Sequence, residues 1–365
     1  MKDSKSWHIC YLADASVVHT QRWAQHFARI GHRVTVISFV PYEIPGCHVI
    51  YVKPITPWIQ LNYLLSLFNV RRMIQALQPN ILHAHYAIGY GFLGAMAGVQ
   101  PYVITAWGTD VLVRPVKSRL YRALVVWAFR RANMVTSMAD HMTKHIVEHG
   151  YASAEKVITL PFGVDTDLFH PGHRKAQHSG PPYLVISNRR HAATCDVQTF
   201  IKAAPLVLEQ EPETNFVVGS NGPLRSQLEA LSAKLGVSNK LNFTGWLPLQ
   251  ELLCLLGRAD VLVSTAPSDG NNVTLNEGMA CGAFPVATDI PANQQWIVSG
   301  ENGLLFPPGD EHAFANCIVQ ALRDPQKRNR AAQINWQIVQ QRASWQDSMK
   351  KMEKHYESLV VHFHD

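Results

Sequence analysis

The chain has 365 residues, of which 47% are hydrophobic and 16% charged, proportions that exclude a disordered or low-complexity polypeptide. A single hydrophobic core rarely grows beyond about 250–300 residues, so this length predicts two domains. The formal charge of +6 conceals an asymmetry: residues 1–178 carry 18 Lys and Arg against 9 Asp and Glu, whereas residues 179–365 carry 15 against 18, so the first half faces an anionic partner or surface.

In chain order, residues 7–12 form a short apolar run, 20–29 have helical spacing closed by Gly31, and 33–39 are rich in Val and Ile, which together read as a βαβ unit. Lys2 and Lys5 precede the stretch 7–17, but His8 and Asp14 interrupt it, and it does not read as a signal peptide. Strand signals follow at 81–85, 102–105, 134–137 and 157–160, with helices around 91–97 and through the cationic stretch 119–131. Residues 87–108 are uncharged over membrane-spanning length, yet five glycines and Pro101 break them up, so they read as a buried helix followed by a buried strand. Between Phe162 and Pro182 the pattern gives way to GVDTDLFHPGHRKAQHSGPP, an interdomain linker. Alternation restarts with strands at 183–187, 215–218, 241–243, 261–264 and 284–287, helices at 197–208, 224–235 and 249–257, and one more holding Glu277; residues 333–360 read as a single helix. Two such halves predict two doubly wound parallel sheets, with ligand loops at the carboxyl ends of the strands. The six cysteines (Cys10, Cys47, Cys195, Cys254, Cys281 and Cys317) form no CxxC pair, which argues against a zinc site or disulfide framework and for a reducing, cytoplasmic setting.

Chemistry concentrates after the strands of the second half. The segment SDGNNVTLNEGMACG, 268–282, sets Asp269 and Glu277 eight positions apart around a turn into a helix that begins near Val273. Backbone N–H groups of the Gly270-Asn271-Asn272 turn and the positive end of that helix suit a phosphate, and Glu277 reaches toward a sugar hydroxyl. The plainer reading is a capped helix, with Asp269 or Asn271 near the cap and Glu277 in solvent. Asn188-Arg189-Arg190 follows the first strand of this half, where guanidinium forks suit a departing diphosphate; two surface arginines are the alternative. Gly219-Ser220-Asn221-Gly222-Pro223 is a turn into a helix, ligand-facing or merely tight. Trp246 and Leu247 end a further strand and either flank a nucleobase or pack in the core.

These segments, together with GHRVTVIS (31–38), HAHYAIGYGFLGAMAG (83–98), VITAWGTDVL (103–112), LPFGVDTDLF (160–169), ADVLVSTAPSDGNNVTLNEGMACGAFPVATD (259–289) and NGLLFPPGD (302–310), resemble the retaining glycosyltransferases of the GT-B fold, specifically family 4, over nearly the whole chain. The resemblance implies an α/β architecture of two Rossmann-like domains facing a deep interdomain cleft. An acceptor-binding domain spans 1–170, a nucleotide-sugar-binding domain 171–335, and a C-terminal helix at 336–365 packs back toward the first. It also implies roles: Asp269 toward the donor sugar, Glu277 toward the ribose, and Arg189 with Arg190 on the diphosphate. Further donor contacts fall to Asn188, Gly219, Asn221, Trp246, Leu247, Gly270 and Asn271, with the backbone of Asn272, Val273, Thr274 and Leu275 on the phosphates. No cofactor and no metal are expected, and Asp165-Thr166-Asp167 is read as a linker motif rather than a metal-binding DxD. Acceptor-side candidates are Ser16, His19, His85, Trp107 and Asp110, with His83 beside them, each with a structural reading as well. Four positions depart from the family pattern: Asp269 replaces the usual Glu, Cys195 stands where a Lys follows the Arg, Trp107 replaces a frequent His, and Asp14-Ala15-Ser16-Val17-Val18 replaces a glycine-rich loop.

The segment PWIQLNYLLSLFNVRRMI, 57–74, puts Trp58, Leu61, Leu64, Leu65 and Phe68 near helical spacing before Arg71 and Arg72, so it either lies on an anionic bilayer or packs in the core. With the basic stretch 114–131 it points to peripheral attachment at the inner face of a membrane. Nucleic acid is not expected, since no binding signature accompanies the charge. The sequence therefore predicts a cytoplasmic, retaining transferase that moves a hexose, glucose from UDP-glucose as first choice, onto a polysaccharide or lipid-linked saccharide. A GT-B sugar-nucleotide epimerase and a non-catalytic sugar-nucleotide-binding subunit are the alternatives.

Overall fold

The computed structural model describes residues 6–174 and 180–364; Lys2, Lys5 and the middle of the linker, 175–179, lie outside the described residues. The chain divides into two compact units, one made of Met1–Phe162 with Asp347–Asp365 and the other of Gly163–Gln346.

Unit 1 holds seven parallel strands: β1 (His8–Leu12), β2 (Arg33–Ser38), β3 (His48–Tyr51), β4 (Ile81–His85), β5 (Tyr102–Ala106), β6 (Met134–Ser137) and β7 (Val157–Thr159), in the order β3-β2-β1-β4-β5-β6-β7. Every residue of β1, β4 and β5 is buried, as expected of strands covered on both faces. The Val18–Arg29 helix packs down through Trp23, Ala24 and Phe27. The edge strand β3 goes unread in the sequence because HVIY, half-exposed at the sheet margin, gives no apolar run. Residues 87–108 resolve into the Tyr90–Ala97 helix and β5. Among the described residues no helix is long and apolar enough to cross a membrane. Segment 57–74 forms two short helices, Ile59–Leu65 and Leu67–Leu77. Val70 and Ile74 hold the second to the core, but the core reading fails for Trp58 and Phe68, which are 68% and 82% exposed.

Unit 2 holds six parallel strands: β8 (Tyr183–Ser187), β9 (Thr214–Gly219), β10 (Leu241–Gly245), β11 (Val261–Ser264), β12 (Phe284–Thr288) and β13 (Leu304–Phe306), in the order β10-β9-β8-β11-β12-β13. One apolar cluster, with Phe200, Phe216, Phe306 and Phe314, covers one side, and another, with Leu256, Leu275, Met279 and Trp296, covers the other. Arg328 is fully buried here: it donates to the carbonyls of Ala321 and Leu322 at the end of the Glu311–Arg323 helix and, at 3.3 Å, to Asp260. The second oxygen of Asp260 accepts the Leu184 N–H at 3.0 Å, so the charge pair is hydrogen-bonded from both sides.

The helix read over 333–360 is in fact two, Pro325–Arg342 and Trp345–His364. The break arises because the backbone between them turns to pair with Val164, whose N–H donates to the Ala343 carbonyl at 2.7 Å and whose carbonyl accepts the Trp345 N–H at 2.8 Å. Gln346 then donates to Asp165 at 2.8 Å and Asp167 at 3.0 Å, which occupies both carboxylates of the DxD sequence. Beyond Gln346 the last helix belongs to unit 1. Its buried Tyr356 lies 3.2 Å from the Tyr11 hydroxyl, bonds the Nδ1 of His83, and packs its ring 4.9 Å from that of Phe27.

Candidate active site

In a doubly wound sheet, ligands bind beyond the carboxyl ends of the strands where the strand order reverses. In unit 2 that reversal lies between β8 and β11, so the loops starting at Asn188 and Thr265 flank it. Arg189 and Asp269 come one from each loop and meet: Nη2 to Oδ2 is 2.6 Å, with the two side chains 14% and 15% exposed. Arg189 Nη1 donates to Asn272 Oδ1 at 2.9 Å, and Nη2 lies 3.9 Å from the Cys195 sulfur. Burial opposes the charge on Arg189, but the Asp269 carboxylate and Cys195 outweigh it and raise the guanidinium pKa.

Asn272 is the hub that fixes this geometry. It caps the Val273–Ala280 helix by accepting the Leu275 N–H at 3.2 Å, and its Nδ2 donates to Ser264 Oγ at 2.9 Å and Asn293 Oδ1 at 3.0 Å. The cap is thus Asn272, one residue past Asn271 and three past Asp269, the two positions the sequence offers. Val273 N–H is bound to the Asn271 carbonyl at 2.9 Å. Two of the four backbone N–H groups expected on phosphates, those of Val273 and Leu275, are therefore engaged within the turn.

Several buried polar atoms in these loops have no hydrogen-bond partner: both amide atoms of Asn271, 7% exposed, Oδ1 of Asn276, Nε of Arg189, Oγ of Ser187 and Nδ1 of His191. Leaving such atoms unpaired costs about 1–3 kcal/mol each, a cost that polar ligand atoms reaching them would offset. Asn276 carries no motif that singles it out in the sequence. Glu277 is half-buried on the same helix and Gly270 is buried in the turn, with Thr274 partly covered. Arg190, by contrast, is exposed and is not brought to Asp269 or Asn272.

Asn188 and Gly219 do meet: a Cβ at Gly219 would sit 2.7 Å from Asn188 Oδ1, so a larger residue there would push the Asn188 side chain aside. His191, fully buried and missed in the sequence, stitches the two loops together. Its N–H donates to the Asn221 carbonyl at 3.1 Å, its carbonyl accepts the Leu224 N–H at 3.0 Å, and its ring Nε2 lies 3.1 Å from the Gly219 carbonyl. Ser220, between them, adopts a left-handed backbone at φ 72°, a strain tolerated where a loop is held on both sides. Trp246 follows the edge strand β10 and is 72% exposed, which overturns its core reading, while Leu247 is partly buried. A cavity of about 480 Å³ in unit 2 is lined by helix surface with Asp196 and Lys234 and contains none of the predicted donor residues.

In unit 1 the reversal lies between β1 and β4. Ser16 is exposed and donates to Asp14 at 2.6 Å. His85 ends β4, 1% exposed; burial, then the neighbouring His19, lowers its pKa to about 3, so the ring is neutral at neutral pH. Its Nε2 and the Nε1 of Trp107 are buried without partners, and the two rings are 5.6 Å apart. His19 stacks on Phe162 at 4.2 Å with Trp107 at 6.0 Å. Asp110 is fully buried and accepts the N–H groups of Ala87, Trp107 and Gly108 at 2.7, 3.0 and 2.8 Å, which makes it a loop organiser. His83 is likewise occupied on both nitrogens, by Tyr356 and Thr105.

Two doubly wound parallel sheets, one with polar loops converging at its switch point, define the GT-B class of α/β proteins. Family profiles give the chain its place: "Glycosyl transferase 4-like" matches residues 8–139 and "Glycosyl transferases group 1" matches 172–335, together most of the chain, which belongs to the group 1 glycosyltransferases of the GT-B fold. Among its relatives, the alpha-D-kanosaminyltransferase of Streptomyces kanamyceticus is 22% identical over 330 residues, 84% of each chain. In fold the chain is similar to a sucrose-phosphate synthase from Thermosynechococcus elongatus (TM-score 0.83, 18% identity, 97% of this chain and 99% of that one). It is also similar to Anabaena HepE, solved with UDP and glucose (TM-score 0.79, 19% identity, 97% of this chain and 100% of that one).

Proposed function

We propose that the chain transfers a hexose from a UDP-sugar, UDP-glucose foremost, to a saccharide acceptor with retention of anomeric configuration. The observation that carries this reading is the Arg189–Asp269 pair fixed by Asn272 at the β8/β11 reversal, beside the unpartnered amide of Asn271. In this reading Arg189 offsets the negative charge that grows on the diphosphate as the C1–oxygen bond breaks, helped by the N-terminal end of the 273–280 helix. The acceptor hydroxyl attacks the same face, and the departing phosphate oxygen takes its proton. Asp269 orients the sugar, Glu277 holds the ribose, and Trp246 with Leu247 borders the base. Guanidinium and helix dipole supply the positive charge, so transfer persists in a chelator. The acceptor in this reading is a polysaccharide or lipid-linked saccharide, used on the cytoplasmic side of a membrane; the UDP and glucose of HepE support the donor choice.

A panel of UDP- and GDP-hexoses with saccharide acceptors, read by mass spectrometry and by the NMR coupling of the new anomeric proton, tests this. An α-linked product from an α-linked donor is expected; a β-linked product overturns retention. A second reading, a binding subunit without turnover, is favoured by Cys195 standing 3.9 Å from Arg189 in place of an ammonium. UDP binding with neither transfer nor donor hydrolysis would select it.

A further inference from the structure

Unit 1 carries an apolar face that its own fold leaves uncovered. Trp58, Leu64 and Phe68, on and beside the Ile59–Leu65 and Leu67–Leu77 helices, are 68%, 58% and 82% exposed, and Val116 and Leu120 are 64% and 69% exposed. Isolated exposed side chains are ordinary, but Leu64 and Leu120 line one groove, and Trp58, Phe68 and Val116 lie within four residues in the chain of other residues that line it. It holds about 330 Å³, is walled by Ile59 and Leu64 on one side and Leu120 and Leu124 on the other, and is floored by Phe92. Its charged residue is Arg114, whose guanidinium lies 5.9 and 5.8 Å from the ring centres of Tyr86 and Tyr121.

The sequence that builds the groove is strongly cationic. Residues 44–139 contain nine Lys and Arg and a single acid, Asp110, which is fully buried and bound to backbone N–H groups. Arg71, Arg72, Lys117, Arg119 and Arg122 are exposed. A protein partner would require acids opposite these cations, and within 44–139 it would find no exposed acid with which to pair cations of its own. A phosphate-rich sheet over hydrocarbon meets both demands at once, because the cations lie among the headgroups and the apolar side chains enter the acyl boundary.

We propose that this face docks on an anionic lipid bilayer, with the groove between the Ile59–Leu65 and Arg119–Arg131 helices taking a lipid acyl chain. Attachment is in the plane of the membrane, through Trp58, Phe68 and Leu120 together with Arg71, Arg72 and Arg119. The inference rests on the membrane-side placement in the reading above but not on its donor chemistry.

The test is co-sedimentation of the full chain with vesicles of phosphatidylcholine alone or mixed with phosphatidylglycerol, at low and high salt. Binding to the anionic vesicles should exceed that to phosphatidylcholine by about tenfold or more and fall with salt. The double variants Trp58→Ser with Phe68→Ser, and Arg71→Glu with Arg72→Glu, should each weaken vesicle binding by about tenfold while leaving UDP affinity, measured by calorimetry, unchanged. No sedimentation at low salt, equal binding to both vesicle types, or undiminished binding by both double variants would overturn the proposal. So would a concentration-dependent dimer that Phe68→Ser abolishes, if vesicles do not bind. Vesicle binding in a protein that fails to bind UDP would leave this inference standing and remove the donor reading instead.

Discussion

Replacing Arg189 by Ala is the most direct test of the candidate site, because the structure separates it from its neighbour Arg190. Arg189 is 14% exposed, paired with Asp269 and bonded to Asn272, and its buried Nε lacks a partner, whereas Arg190 is in solvent. A charge-assisted hydrogen bond contributes about 1.5–3 kcal/mol, and a guanidinium making two to a diphosphate supplies roughly 3 kcal/mol after competition with Asp269. At about 1.4 kcal/mol per tenfold, Arg189→Ala should weaken UDP binding by about 150-fold. Arg190→Ala, a surface charge, should change it by no more than about fivefold. Calorimetric titration with UDP at fixed salt measures both, and thermal melts of each variant confirm that unit 2 remains folded. Arg189→Lys keeps the charge but loses the planar fork, so it should fall between wild type and Ala. A folded Arg189→Ala protein that binds UDP within about threefold of wild type, or an Arg190→Ala protein that loses as much, would refute the assignment of the diphosphate to Arg189.

Two predictions concern stability. His85 is held near pKa 3 against an ordinary 6.5, so the unfolded chain takes up its proton first as pH falls. The stability this neutral ring contributes is complete above about pH 6.5 and is lost at about 1.4 kcal/mol per pH unit as pH drops toward the folded value. Urea unfolding at several pH values should show this slope in wild type and a slope shallower by about one proton in His85→Gln; identical slopes would contradict it. Arg328→Ala removes the cation from Asp260 and the donors from the Ala321 and Leu322 carbonyls, and should destabilise unit 2 by about 3–5 kcal/mol in urea melts. A loss below about 1 kcal/mol would show that the buried pair matters little.

Much of the architecture is legible because parallel strands buried on both faces must be written in Val, Ile and Leu. The stretches 33–38, 183–187 and 261–264 announce themselves in this way. The two strands missed are those whose environment leaves no such mark: β3, half-exposed at an edge, and β13, three residues long. The break at Ala343 is equally silent, since it depends on pairing with Val164, nearly two hundred residues earlier in the chain. In the candidate site, the residue types and spacing name Arg189, Asp269 and Asn272, but not that the first two pair in the free protein. His191 escapes notice because its role consists of contacts between loops distant in sequence, and Asn276 because no motif marks its buried amide. Trp246 was ambiguous for a simple reason: an aromatic after a strand has the same local sequence whether it faces inward or outward.

The return of the last helix to unit 1 has a consequence for how the protein is made. Residues 163–346 are contiguous in the chain and need nothing made after them to pack, but the front half cannot complete the packing around Tyr11, Phe27 and His83 until Tyr356 has been synthesised. Its completion therefore waits on a segment encoded after the whole of unit 2. A chain cut after Gln346 keeps every residue of unit 2 and strands the earlier half with an open wound in its interior.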